Sequence, residues 1–288
     1  MNTFKTALLM SVLTVLFVLV GNWLGGQGGM MMAFAFAVLM NVGTYWFSDK
    51  MVLRMYGAVE LDRSQYGHIY RTTEELTHRA GLPMPKLYLI RGDQPNAFAT
   101  GRDPQHAAVA VTESIVRLLT KDELRGVIAH ELAHIKNRDI LVATIAATFA
   151  GAISMIANMA QWAMIFGGGR SNDDEGSSNP IVAIVMMIVA PLAAMMVQMA
   201  ISRQREFLAD AGGAQMSGNP ISLASALKRL HSASQQIPMK ATPATAHLFI
   251  INPFAAGGMM KLFSTHPPVE ERVARLEEMA YGRSISVR

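Results

Sequence analysis

The stretch Val127-Ile128-Ala129-His130-Glu131-Leu132-Ala133-His134-Ile135 holds two histidines four residues apart, with a glutamate directly after the first. Its other members are apolar or small, which predicts a largely buried helix. Residues four apart share one face of a helix, so both imidazoles can reach one metal ion. A polar triplet in such a helix needs a reason, because buried charges are paired or bound to metal. Zinc held there would lower the pKa of a bound water towards ~7, and Glu131 stands where its carboxylate can take the proton. The hydroxide so formed attacks a peptide carbonyl that the metal polarises. The chemistry expected of these residues is therefore metal-assisted hydrolysis.

A catalytic zinc site keeps three protein ligands and one open position. The chain has no cysteine, so a thiolate ligand and a disulfide framework are both excluded. No further histidine follows closely after His134, so the third ligand must come from elsewhere. Glu206, within Arg203-Gln204-Arg205-Glu206-Phe207-Leu208-Ala209-Asp210, is the candidate. It follows one apolar segment as closely as His134 precedes another. If those segments are antiparallel helices, their ends are neighbours. Asp210 is one helical turn further on and can hold a ligand imidazole through its other nitrogen. The same residues also read as a solvated Arg/Glu/Asp helix surface, and spacing alone does not choose between the two.

The elements that must position these groups are partly apolar. Hydrophobic residues make up 51% of the 288 and charged residues 16%, against roughly 25% charged in soluble chains. Mean hydropathy is +0.26. Four apolar runs, Thr6–Leu24, Met30–Phe47, Ile140–Phe166 and Ile181–Ile201, contain no Asp, Glu, Lys or Arg. Each is near or above the ~18 residues that cross a hydrocarbon core. The last two also read as buried helices of a soluble core. Lys5 ahead of the first run resembles a secretory signal, but no small-x-small cleavage site follows, and an uncleaved hairpin is the better reading.

Charge orients these runs. Of 25 Lys and Arg residues only Arg170 lies between the last two runs, beside Asp173, Asp174 and Glu175. The positive-inside rule then places both termini and both polar regions in the cytoplasm. This distribution accounts for the net charge of +4 without a nucleic-acid partner. The expected organisation is a transmembrane hairpin at 1–48, the first part of the catalytic domain with the zinc helix at 49–139, a second apolar pair with a short external loop at 140–201, and the second catalytic part at 202–288.

The polar part reads as α+β. A helix is expected over Gln65–Ala80, strands over Lys86–Ile90 and Ala107–Val111, and a short extended segment over Asn96–Thr100. Helices should start near Glu113 and Lys121, the second closed by a Thr120/Glu123 capping box.

Several motifs extend the metal helix into a family pattern: Asn96-Ala97-Phe98-Ala99-Thr100-Gly101, Arg205-Glu206-Phe207-Leu208-Ala209-Asp210 and Thr265-His266-Pro267-Pro268. With the N-terminal hairpin, they make nearly the whole chain resemble the HtpX-like heat-shock metalloproteases, bacterial relatives of the CaaX prenyl endopeptidase. The resemblance implies a predominantly α fold with a small β-sheet (α+β), in a polytopic inner-membrane protein with a zincin-like cytoplasmic catalytic domain. It implies one Zn2+ per chain on His130, His134 and Glu206, Glu131 as base, and quality control of misfolded or damaged membrane proteins. Unfolded or membrane-protein substrates and the lipid bilayer are then the partners. It also makes Asn96, Ala97, Phe98 and Ala99 an edge strand that pairs with extended substrate, with the Asn96 side chain holding that substrate. Asn96 otherwise reads as a turn residue after Pro95. By the resemblance His266 donates to the tetrahedral oxyanion; otherwise it reads as a helix-start residue.

Two other classes fit these residues less well. A chaperone with structural zinc would close the site with a fourth protein ligand and leave Glu131 without a purpose. A transporter would carry intramembrane charges, and the apolar runs have none.

Overall fold

The computed structural model describes residues 2–141, 203–236, 248–251 and 267–282. The third apolar run beyond Leu141, the fourth run, the loop joining them, and His266 lie outside the described residues.

Helix α1 (Asn2–Met55) is two helical arms that meet at Gly25–Gly26. Gly26 has φ 56° and ψ −144°, a conformation open only to a residue without Cβ. The arms lie against each other. Asn41 Nδ2 donates to Thr14 Oγ1 at 2.8 Å, and the Phe17 and Phe36 rings meet edge to face at 5.6 Å. The first two apolar runs thus form a helical hairpin that turns at Gly25–Gly26. Met31, Met32, Phe34, Phe36, Leu39 and Phe47 face outward. Among the described residues, one helical stretch, Gly25–Phe47 (23 residues), is long and apolar enough to cross a membrane.

The second arm runs on past that stretch. Its last turns carry Val52 and Leu53 into a cluster with Ile90, Phe98, Ala108, Ala110 and Leu248. Tyr56, just past the helix, packs on Phe98 with ring centroids 5.4 Å apart.

These residues cover one face of a four-stranded mixed sheet, built of β1 (Val59–Glu60), β2 (Lys86–Ile90), β3 (Ala97–Gly101) and β4 (Ala107–Thr112). The order is β1-β2-β4-β3. β2 and β4 are parallel, and the other two pairs are antiparallel. In β4, Ala108 and Ala110 face the Phe98 cluster, whereas Ala107, Val109 and Val111 face the main core. A strand buried on both faces reads as an unbroken apolar run, which is how β4 reads.

The main core joins that face to the helices. Helix α2 (Gly67–Ala80) ends on Gly81 in the left-handed conformation. Helix α3 (Glu113–Leu118) leads into α4 (Lys121–Lys136). The expected capping box opens α4: Thr120 Oγ1 accepts from Glu123 N at 3.3 Å, and Glu123 Oε2 accepts from Thr120 N at 2.8 Å. Val127, Ile128, Leu132 and Ile135 of α4 are fully buried.

Helices α5 (Arg203–Ser217) and α6 (Pro220–Gln236) pack on α4, and α7 (Val269–Tyr281) packs on both α5 and α6. Glycines set the approach. A Cβ on Gly213 would stand 2.8 Å from His130 N, and one on Gly126 would stand 2.9 Å from Leu223 N. α5 therefore lies directly on the backbone of the metal helix. The fold is α-dominant with a small mixed sheet, as expected.

Candidate metal centre

Helix α4 presents His130 and Glu131 at 1% and 5% exposure, and α5 presents Glu206 at 7%. The ligand atoms of His130, His134 and Glu206 all lie within 4.8 Å of one another. The two Nε2 atoms are 3.2 Å apart. Glu206 Oε2 is 3.7 Å from His130 Nε2, and its Oε1 is 3.5 Å from His134 Nε2. A tetrahedral zinc with bonds of ~2.0–2.2 Å has ligand atoms roughly 3.3–3.6 Å apart. The donor set fits such an ion.

The far imidazole nitrogens each face a carboxylate. His130 Nδ1 faces Asp210 Oδ1 at 3.0 Å, and His134 Nδ1 faces Asp139 Oδ2 at 3.2 Å. Each carboxylate fixes the ring so that Nε2 points into the site. Burial pulls the His134 pKa down, but the Asp139 hydrogen bond and the charges of Glu206 and Glu131 outweigh it and raise it to about 9. A cation between these acids is strongly favoured.

The charge count points the same way. Around the site the carboxylates of Glu131, Asp139, Glu206 and Asp210 are buried, with the guanidiniums of Arg205 and Arg272. Carboxylates thus outnumber guanidiniums, and a proton on His134 or a metal cation in its place offsets the excess.

Glu131 ties this cluster to the sheet. Its Oε2 accepts from the backbone N–H of Ala99 at 2.8 Å. Burial raises its pKa, against the opposing pull of His130 and His134. Ala99 lies on β3, the edge strand. Thr112 N donates to Asn96 O at 3.0 Å, and the antiparallel register pairs Ala97 with Val111 and Ala99 with Val109. Inward and outward bonding alternate along such a pair. Ala97 and Ala99 therefore turn their backbone groups away from β4, to the side on which Glu131 lies, and among the described residues no further strand pairs with that edge.

Residues 63–280 match the profile of peptidase family M48. The chain belongs to peptidase family M48. Curated M48 relatives agree over nearly full length. The "Protease HtpX homolog" of Syntrophobacter fumaroxidans is 56% identical over 280 residues, covering 96% of this chain and 99% of that one. The homolog of Salinibacter ruber is 55% identical over 286 residues, covering 99% and 100%. The crystal structure of S. mikatae Ste24p is similar with a TM-score of 0.51 at 19% identity. That match covers 96% of this chain and 65% of Ste24p, and it shows a shared fold alone. This M48 chain is accordingly a membrane-associated metalloendopeptidase of the HtpX type.

One expectation about the M48 site changes. Asn96 is buried, and both ends of its side chain are already committed. Nδ2 donates to Leu248 O at 3.0 Å, and Oδ1 accepts from Ile250 N at 3.1 Å. The amide thus holds residues 248–250 and does not face the open edge as a substrate hook would. Phe98 likewise points into the cluster with Tyr56 and offers no side chain to the edge.

Two site residues are absent from the sequence reading. Asp139 stands behind His134, and nothing in its spacing marks it. Arg272 carried a readable signal. Val269, Arg272, Val273 and Leu276 recur at helical spacing, so Arg272 occupies an inward position of α7, and it is 0% exposed.

Proposed function

We propose that this M48 chain is a zinc endopeptidase of the bacterial inner membrane. It hydrolyses unfolded or damaged membrane proteins on the cytoplasmic side as part of quality control. One Zn2+ is held by His130, His134 and Glu206, with Asp210 and Asp139 fixing the two imidazoles. When bound, the metal polarises the scissile carbonyl and acidifies the attacking water. Glu131 takes the water's proton and returns it to the departing amine. Its buried setting, which raises its proton affinity, suits that exchange. The outward backbone groups of Ala97 and the outward carbonyl of Ala99, whose N–H is held by Glu131, pair with extended substrate by strand addition. His266 donates to the oxyanion. His266 stands three residues before α7 in the sequence, and Arg272 of α7 lies 3.5 Å from Glu206.

The polytopic arrangement is part of the same reading, with two apolar pairs, both termini cytoplasmic and the catalytic domain split at 49–139 and 202–288. The observation that carries the function is the single hydrogen bond between Ala99 N and Glu131 Oε2. It supports a reading in which the base, the metal donor set and the strand edge belong to one site. The test is a comparison of the full chain with Glu131→Gln and Glu206→Ala, by metal analysis and by cleavage of an unfolded membrane protein. Glu131→Gln should keep its zinc and lose nearly all cleavage, and Glu206→Ala should lose zinc. Near-wild-type cleavage by Glu131→Gln would sink the base assignment.

A further inference from the structure

Arg272 takes no part in the reaction just described. Yet it heads the fully buried side chains by volume among the described residues, and its guanidinium stays charged. Its Nη2 and Nη1 lie 3.4 Å from His130 Nε2 and 3.5 Å from Glu206 Oε2, and its shorter hydrogen bonds run in two directions. Nε and Nη2 donate to Asp210 Oδ2 and Oδ1, both at 2.7 Å, as a two-pronged fork. Nη1 donates to the backbone carbonyl of Ile250 at 2.7 Å.

Each direction leads to one half of the site. Beyond Asp210 stands the His130 imidazole, 3.0 Å from Asp210 Oδ1. Beyond Ile250 stands Asn96, whose Oδ1 accepts from Ile250 N at 3.1 Å, and Asn96 immediately precedes edge strand β3. The side chains of Leu248, Phe249, Ile250 and Ile251 are all buried, so the intervening peptide is packed inside the fold. A path of close polar contacts thus runs from His130 through Asp210, Arg272 and Ile250 to Asn96, with hydrogen bonds at every step from Asp210 onward and a 3.0 Å ion-pair contact at the first.

We propose that Arg272 is a positioning residue that couples the metal-holding His130–Asp210 pair to the substrate edge through the backbone of Ile250. This rests on the metal and edge assignments of the proposed function. The flat guanidinium suits it, because it can fork onto a carboxylate and still direct a third donor at a carbonyl. A lysine keeps the charge but loses the fork. An Arg272 that merely filled space would affect folding and leave the metal affinity of the folded protein alone.

The test uses the full chain in detergent and measures zinc affinity by competition with a chromophoric chelator. Arg272→Met should weaken zinc ten- to a hundred-fold, the range for partners of metal-bound imidazoles. Arg272→Lys should recover only part of that loss. The coupling itself is read from Asn96→Ala, which removes no group near the metal donors. It should weaken zinc by about 3-fold or more in the presence of Arg272, and by nothing measurable in the Arg272→Met background. Should Arg272→Met fail to fold, Arg272→Lys carries the same cycle, with a reduced Asn96→Ala effect expected. Unchanged zinc affinity in the Arg272 variants, or an Asn96→Ala effect that is equal in both backgrounds, overturns the inference. Wild-type chain that binds no zinc overturns the proposed function itself.

Discussion

His134 and Asp139 show how little freedom a metal-binding imidazole has. The Asp139 carboxylate lies 3.2 Å from Nδ1 and is the leading influence holding the His134 pKa at about 9 against burial. Asp139→Asn keeps the shape and removes the charge. We expect zinc affinity to fall about 10–100-fold and the His134 pKa, in metal-free protein, to drop from about 9. A chelator competition and an imidazole NMR titration would measure the two. Wild-type affinity in Asp139→Asn would mean that Asp139 does not orient the ligand. Glu131 and Asp139 both lie beside histidines, yet only Glu131 sits at the strand edge. Position relative to the sheet separates the proposed base from the proposed orienting partner.

The contact between α4 and α5 sets the reach of Glu206. The helices approach so closely that Gly213 has no room for a side chain, with His130 N 2.8 Å and His130 Cα 2.9 Å from where its Cβ would stand. Both neighbours are backbone atoms and cannot rotate away. Gly213→Ala should therefore push the helices apart, at a cost of about 1–3 kcal/mol, and carry Glu206 away from both imidazoles. The expected outcome is a lower Tm together with weaker stabilisation by added zinc, both read from thermal unfolding of detergent-solubilised protein. A lower Tm with an undiminished zinc increment would show that the separation of the helices does not govern the donor set. The sheet makes a similar contribution. β3 is an edge strand because β4 pairs with β2 on its other side, and only an edge leaves backbone groups for another chain.

For the whole molecule, the decisive contact joins the hairpin to the turn after β3. The Arg102 guanidinium stacks over the Trp46 ring at 4.4 Å. Trp46 is the next-to-last residue of the stretch Gly25–Phe47, and tryptophan is enriched at the membrane–water boundary. The far end of the edge strand thus lies level with that boundary in the proposed topology. A substrate must be extended to pair there, and a segment still helical within the bilayer keeps its amides bonded and dry. Cuts should therefore fall in extended or unfolded cytoplasmic segments close to the membrane. Mass spectrometry of the products from a multi-spanning substrate in proteoliposomes would map them. Cuts mainly at mid-bilayer positions would require a deeper site.

The sequence by itself determined what depends on local repetition. His130, Glu131 and His134 are legible because four-residue spacing on a helix is a local rule. The Thr120/Glu123 cap and β4 are legible for the same reason, as was the hairpin from its two apolar runs. Family motifs brought Glu206 and Asp210 into the site. Tertiary structure alone decided which distant carboxylate backs which imidazole, since Asp139 is an ordinary acid until the chain turns it onto His134. It also decided the use of the Asn96 amide, whose partners lie about 150 positions away at Leu248 and Ile250. The same holds for Arg272, whose helical spacing marked an inward position without saying what lay inside. Periodicity reports the face a residue occupies; only the packing of α7 against α5 supplies the carboxylate that makes a buried guanidinium stable.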